Sequence, residues 1–381
     1  MIGVLATMLG TIVGCSPLPE VAYETERLQI APEFDAPICE GTLAALDEHL
    51  RAVEEGLGQI GKRDPYRLYW MVDGLDEVCG EGRGGCFFPA TRMMFARGGS
   101  ITHEMTHAAL DSEGESYFIE EGMAELLSGV GVYYEGLGDD EGPGQRLRLS
   151  RSAYRAGHFD YDAAGHFMRY VYDRRGQHGV RRLAAEVEAG ASPERIEATL
   201  EQVMGERIDA IEADYRAKSS PAYEGLGYEQ TLELMVKALD DDPHALGPER
   251  LSFEVAVDLD CGAEDTMGPL PDEREGMYQV RRVVIPQNEG ALLRVEGDPG
   301  TWVDVFNPHA RARHGLMTDW MRPDPEIDGG ALRLYPGDAL ERPLLPGVRA
   351  VVLAAEGTGG GSVSLHVELT PVPLVDPVTR R

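Results

Sequence analysis

The sequence predicts two folds in series, an α+β domain over residues 38–222 and an all-β sandwich over residues 251–381. Three observations carry this. Apolar residues recur at helical spacing through much of the first half. Two short apolar runs with strand character precede the main helices. From Leu251 onward apolar residues alternate with period two, and Gly, Pro, Asp and Asn punctuate the runs. At 381 residues and 43% hydrophobic content the chain can build two domains, each with its own core.

The N-terminus, "MIGVLATMLGTIVGCSPLPE", carries an apolar run from Ile2 to Val13 that is short for a bilayer span. It suits the apolar centre of an export signal over residues 1–15. The run ends in Ile12-Val13-Gly14-Cys15, which resembles a bacterial lipobox. That resemblance implies lipidation of Cys15, contact with a membrane through the lipid, and an address in the cell envelope. Ser16 behind the cysteine points to the outer membrane by analogy with sorting rules. Residues 16–37, with several prolines, read as a leader.

In "TLAALDEHLRAVEEGLG", Leu43, Leu46, Leu50, Val53 and Leu57 fall at helical spacing. "YRLYWMV" (Tyr66 to Val72) and "RMMFAR" (Arg92 to Arg97) read as strands. Gly98 and Gly99 break the second, and a helix is expected from about Ser100 or Ile101. A further helix covers "SYFIEEGMAELLSG" and stops near Gly129. "DAAGHFMRYVYDRRG" offers Asp162 as cap and Gly176 as stop. "SPERIEATLEQVMG" offers Ser192 as cap with Pro193 at the first helical position. "RIDAIEADYRAKS" extends the helical section to about Ser219. Residues 223–250 read as a linker with some helix. Beyond it, Phe253, Val255, Val257 and Leu259 alternate, as do Val363, Leu365, Val367 and Leu369.

Acidic residues outnumber basic ones 66 to 35, for a net charge of −31. Such a field repels phosphate backbones, which excludes nucleic acid as a partner. Apart from Cys15, the cysteines are Cys39, Cys79, Cys86 and Cys261, an even set that in an exported protein implies two disulfides. Cys79 and Cys86 flank the glycine-rich "CGEGRGGC" and could close a small ring, leaving Cys39 and Cys261 to tie the two halves together. The spacing leaves the other pairings open.

The chemistry concentrates in "ITHEMTHAAL". His103 and His107 stand at i and i+4, so both leave one face of one helix and can converge on one Zn²⁺ ion. Glu104 lies beside them and can reach a water at the metal. Zinc lowers the pKa of that water toward neutrality, and a carboxylate base takes its proton. A catalytic zinc also wants a third protein ligand and an open position. "FIEEGMAELLSG" supplies Glu120, Glu121 and Glu125 on the next helix.

Here the chain resembles the gluzincin, or zincin-like, metallopeptidases, through His103-Glu104-Met105-Thr106-His107 and Glu121-Gly122-Met123-Ala124. The resemblance covers about residues 66–215 and implies that Glu121 is the third zinc ligand and Glu120 its neighbour. It implies that Glu125, one turn on, accepts the second ring hydrogen of a zinc-bound histidine. It also implies a tyrosine that opens a helix and steadies the oxyanion. "YDAAGHFMRYV" makes Tyr161 that residue, with His166, His158 and Tyr154 as alternatives. By the same resemblance the strand at "RMMFAR" is the sheet edge that pairs with an extended peptide substrate.

The expected function is therefore an exported, lipid-anchored zinc metallopeptidase acting on a peptide or protein substrate. The rival from another class is a surface-binding lipoprotein whose zinc is a structural staple, in which Glu104 has no task. The C-terminal sandwich names no ligand. His49, His178, His244, His309, His314 and His366 stand alone and read as surface or structural residues. "DGLDE", "GDDEG" and "LDDDPH" lack the alternation of a calcium loop and read as solvated turns.

Overall fold

A computed structural model describes residues 18–58, 64–111, 117–128, 133–135, 142–148, 161–218, 222–224, 252–270, 273–285, 289–306, 332–344 and 347–371. The first half contains β1 (Tyr23–Glu24), β2 (Leu28–Pro32), α1 (Glu40–Leu57), β3 (Tyr66–Trp70), α2 (Leu75–Cys79), β4 (Gly85–Phe88), β5 (Met93–Ala96), α3 (Ile101–Leu110) and α4 (Tyr117–Leu127). It continues through β6 (Tyr133–Glu135), α5 (Pro143–Arg146), α6 (Tyr161–Glu188), α7 (Pro193–Met204), α8 (Ile208–Lys218) and β7 (Ala222–Glu224). The described elements of the second half are strands: β8 (Ser252–Leu259), β9 (Gly276–Ile285), β10 (Glu289–Gly297), β11 (Thr301–Phe306), β12 (Leu332–Leu334), β13 (Ala339–Leu344), β14 (Gly347–Glu356) and β15 (Gly361–Pro371).

The N-terminal sheet has the order β1-β2-β3-β5-β4, with β2, β3 and β5 parallel and β1 and β4 antiparallel at the margins. Its period-two alternation sorts side chains onto two faces. Leu28, Ile30, Tyr66, Leu68, Trp70, Met94 and Ala96 join the large core with the helices. Ala31, Tyr69, Met71 and Phe95 form a smaller cluster with Leu75 of α2 on the other face.

Residues 16–37, expected as a leader, contribute β1 and β2 to this sheet. "LQIAP" carries three fully buried apolar residues, Leu28, Ile30 and Ala31, in parallel register with Leu28 opposite Tyr66. A strand this short gives little periodic signal beside its prolines. A second expectation is corrected at β5. "RMMFAR" is an interior strand, because the chain turns through the glycine-rich loop and lays β4 outside it, pairing Gly85 with Ala96 and Phe88 with Met93. The sheet edge is β4.

Helix signals read from sequence hold in detail at α7, where the Ser192 hydroxyl accepts from the Arg195 N–H, Pro193 opens the helix and Gly205 closes it at φ 73°. Gly176 interrupts α6 at φ 61°, but helix resumes and runs to Glu188. The helix begins at Tyr161, so Asp162 lies inside its first turn rather than before it. No helix among the described residues is long and apolar enough to cross a membrane.

The strand half forms two four-stranded antiparallel sheets, β13-β10-β15-β8 and β12-β11-β14-β9, around a shared interior of Val255, Val257, Leu293, Val303, Leu353, Leu365 and their neighbours. The two sheets differ in what their outer faces meet. In β8, exposed and buried residues alternate strictly, the mark of one-sided burial. The β9-β14-β11 face instead turns Tyr278, Val280, Trp302, Val352 and Ala354 into the same core as Leu43 and Leu46 of α1. Cys39 at the start of α1 bonds Cys261, and Cys79 bonds Cys86. Gly41 N–H donates to Thr266 O at 3.0 Å, Gly268 N–H to Thr42 Oγ1 at 3.0 Å, and Trp70 Nε1 to Glu273 at 3.2 Å. Structural disulfides of this kind belong to exported proteins.

The sandwich is thus one wall of the helical core. Residues 18–224 expressed alone are expected to bind a hydrophobic dye and to lose the cooperative thermal transition of the full chain. A fragment that melts as sharply as the whole protein would contradict a shared core.

Candidate metal centre

α3 leaves the end of β5 through a short turn at Gly98–Ser100 and ends at Asp111, which takes the left-handed conformation at φ 49°. Ile101, Met105, Ala108 and Ala109 anchor it in the core. α4 packs Phe118, Ile119, Met123 and Leu126 into the same core. A Cβ on Gly122 would stand 2.6 Å from both Ala164 O and Met168 Cγ, so this glycine is what lets α6 lie directly on α4. That close approach brings Tyr161, the first residue of α6, to α3.

His103, His107 and Glu121 converge. The Nε2 atoms of the two rings are 3.1 Å apart, and Glu121 Oε2 lies 3.2 Å from one and 3.1 Å from the other. Behind the rings, Glu125 meets His103 Nδ1 at 3.1 Å and Glu120 meets His107 Nδ1 at 3.3 Å. Glu120 therefore has a role that sequence reasoning missed, since it was taken only as a neighbour of Glu121. Its single signal was the acidic doublet, in which adjacent helix positions can serve two different targets.

Glu104 is 4% exposed, and its Oε2 has no hydrogen-bond partner. The Tyr161 ring centroid is 6.2 Å from that of His103, and the residue is partly exposed. His166, an alternative to Tyr161, is fully buried and bonded to the Tyr215 hydroxyl, which removes it from the site. His158, Tyr154 and Cys15 lie outside the described residues. Of the isolated histidines, His49 is buried in α1, and burial pulls its pKa down to about 4. His366 pairs with Glu254 on the sandwich.

The donor set fits a divalent cation. With each Nδ1–H donating to a carboxylate, both Nε2 atoms carry lone pairs aimed at each other and at Glu121. With both Nε2 protonated instead, two N–H groups face each other. Two facing lone pairs repel at 3.1 Å and a cation between the three atoms relieves this, whereas a protonated Nε2 donates to Glu121 Oε2. A tetrahedral ion with bonds of about 2.0–2.1 Å to nitrogen and oxygen needs ligand separations of about 3.3 Å, close to those present. Charge points the same way. Glu104, Glu120, Glu121 and Glu125 surround two rings that carry at most one charge each. When ionised, these carboxylates outnumber the two ring charges, with Arg83 also acting on Glu104, and the excess negative charge favours a cation.

The acid–base properties follow. Burial alone would lower the His103 pKa, but hydrogen bonds to Glu121 and Glu125 outweigh it and raise it to about 10. His107 rises well above its ordinary value against the same burial, through Glu121 and Glu120. Burial would raise Glu121, yet the His107 charge and hydrogen bonds from both rings hold it far below the usual carboxylate range. Burial pushes Glu104 and Glu120 up.

No family model matches the sequence, and no curated protein matches it. Among solved structures the chain is similar to the periplasmic inhibitor of g-type lysozyme PliG from Aeromonas hydrophila, at 10% identity and TM-score 0.22, over 34% of this chain and 94% of that one. It is also similar to the pre-peptidase C-terminal domain of a collagenase from Bacillus anthracis, at 12% identity and TM-score 0.21, over 31% and 90% of the two chains. At these scores neither identifies a family or an activity.

Two outcomes test the centre itself. Glu120→Ala and Glu125→Ala should each weaken Zn²⁺ binding by about 10- to 100-fold, read by competition with a chromophoric chelator. Binding should also release protons. The ring pKa values are raised, so at neutral pH the cation competes with protons, and affinity climbs as pH rises toward about 10. Calorimetry in buffers of different ionisation enthalpy measures this, and a buffer-independent heat would contradict it.

Proposed function

We propose that this chain is an exported zinc-dependent metallopeptidase of the gluzincin type, with a zincin-like catalytic half and a lipid anchor at Cys15. One observation carries the reading. Three ligand atoms converge at 3.1–3.2 Å, each ring is backed by its own carboxylate, and Glu104 lies beside them with a buried oxygen that nothing satisfies. A structural staple needs the ligands but gives Glu104 no reason to be buried and unpaired.

His103, His107 and Glu121 would hold the ion. When bound, Zn²⁺ supplies an acidified water and polarises the scissile carbonyl. The rest is the work of the chain. Glu104 accepts a proton from the attacking water and delivers it to the leaving amine. Its enclosure favours the protonated form more than solvent does, which suits a group that must both take and give a proton near neutral pH. Glu125 and Glu120 fix the tautomer and plane of the two rings. Tyr161, whose ring lies 6.2 Å from that of His103, would donate its hydroxyl hydrogen to the carbonyl oxygen as negative charge develops there. β4, an edge of this sheet among the described residues, would be the strand that an extended peptide pairs with irrespective of its side chains.

Glu104→Gln should keep the metal and its affinity while cleavage of a peptide library drops about 10²- to 10⁴-fold. A purified mutant that cleaves like the wild type would remove Glu104 from the mechanism. A zinc-loaded wild type that cleaves nothing would leave the structural-staple rival standing.

A further inference from the structure

β4 opens at Gly85, and its side chains alternate between two environments. Phe87 packs against the main core and Tyr66, on the side of α3. Cys86 and Phe88 turn the other way, toward the α2 cluster and Phe95. Gly85 therefore faces α3. A Cβ there would lie 2.6 Å from Glu104 Cγ, 2.6 Å from its Oε1 and 2.8 Å from its Cδ. Separations this short are not sustained, so something must give.

The strand cannot. It pairs with β5 from Gly85 to Phe88, and the Arg97 N–H donates to Gly84 O at 3.0 Å. From the opposite face, the disulfide between Cys86 and Cys79 ties the adjacent residue to α2. The Glu104 side chain is the softer partner, because it turns on single bonds and no hydrogen bond retains its Oε2. Gly85 also lies outside the left-handed region, so alanine brings no backbone strain of its own. Gly41 makes the contrast. There a Cβ would meet the Thr266 carbonyl at 2.5 Å, and a substitution would break the packing of α1 on the sandwich.

We propose that Gly85 is a positioning residue for Glu104: the bare backbone of β4 forms the seat that holds the carboxylate beside the metal ligands. The absent side chain fixes where the base stands, while the ring closed by Cys79 and Cys86 keeps the seat in place. The kinetic part of the inference rests on the peptidase reading. The geometric part does not.

Gly85→Ala is the test, with three readouts. Its crystal structure should show the Glu104 carboxylate swung away from β4 while His103, His107 and Glu121 stay in place. Zn²⁺ affinity should remain within about threefold of wild type, and kcat should fall about 10- to 100-fold at unchanged KM. Finally, Gly85→Ala added to Glu104→Ala should cost nothing further, since one acts through the other. Overturning results are a carboxylate that has not moved, an unchanged kcat, or a double variant slower than Glu104→Ala alone. If wild-type protein cleaves no peptide, the peptidase reading fails, and the variant's structure still decides the role of Gly85.

Discussion

Two imidazole nitrogens and one carboxylate oxygen held 3.1–3.2 Å apart form the constraint that the N-terminal half of this protein is organised around. Left alone, these atoms repel or share protons awkwardly. Keeping them together requires stiff supports, and the fold supplies them. α3 and α4 are anchored by residues that are essentially inaccessible, among them Met105, Ala108, Ile119 and Met123. Glu125 and Glu120 hold the rings from behind. Gly122 lets α6 close on α4, which brings the Tyr161 ring to 6.2 Å from that of His103. Each of these features is consistent with a cation at the convergence point.

The sandwich bears on the site indirectly. Its β9-β14-β11 sheet is apolar on both faces, one turned to its own interior and one to α1 and the central strands. A module meant only to bind a partner would bury one face and solvate the other, as β8 does. The Cys39–Cys261 bond spans 222 residues and joins the start of α1 to the loop beyond β8. Cross-links over loops this long restrict the unfolded chain by up to about 5 kcal/mol. Shared core and cross-link together leave little freedom for the halves to rock against each other.

Where sequence reasoning fell short, the missing information was non-local. Placing "RMMFAR" at the sheet edge assumed that no strand lay outside it. The tetrapeptide Gly85–Phe88 is too short and too glycine-rich to announce itself, and only its pairing with Met93–Ala96 makes it a strand. The same holds for Leu28–Pro32, whose strand character comes from lying beside Tyr66–Trp70. One signal was present but unread. Val351 to Ala355 is a continuous apolar run, the pattern of two-sided burial, whereas Phe253 to Leu259 alternates.

By itself the sequence determined the local features: helix periods, the Ser192 cap, the alternation in the strand half, and the i, i+4 pair His103 and His107. It could do so because backbone geometry fixes where side chains three or four residues apart must point. Spacing left Glu120, Glu121 and Glu125 open as partners, and the roles of Glu121 and Glu125 came from the resemblance at Glu121-Gly122-Met123-Ala124. Tertiary structure alone decided that α4 turns those carboxylates toward α3 and that Glu120 faces the second ring. It alone chose between the cysteine pairings, and it seated β4 against Glu104. These depend on how distant segments pack in three dimensions, and no spacing along a single chain encodes that directly.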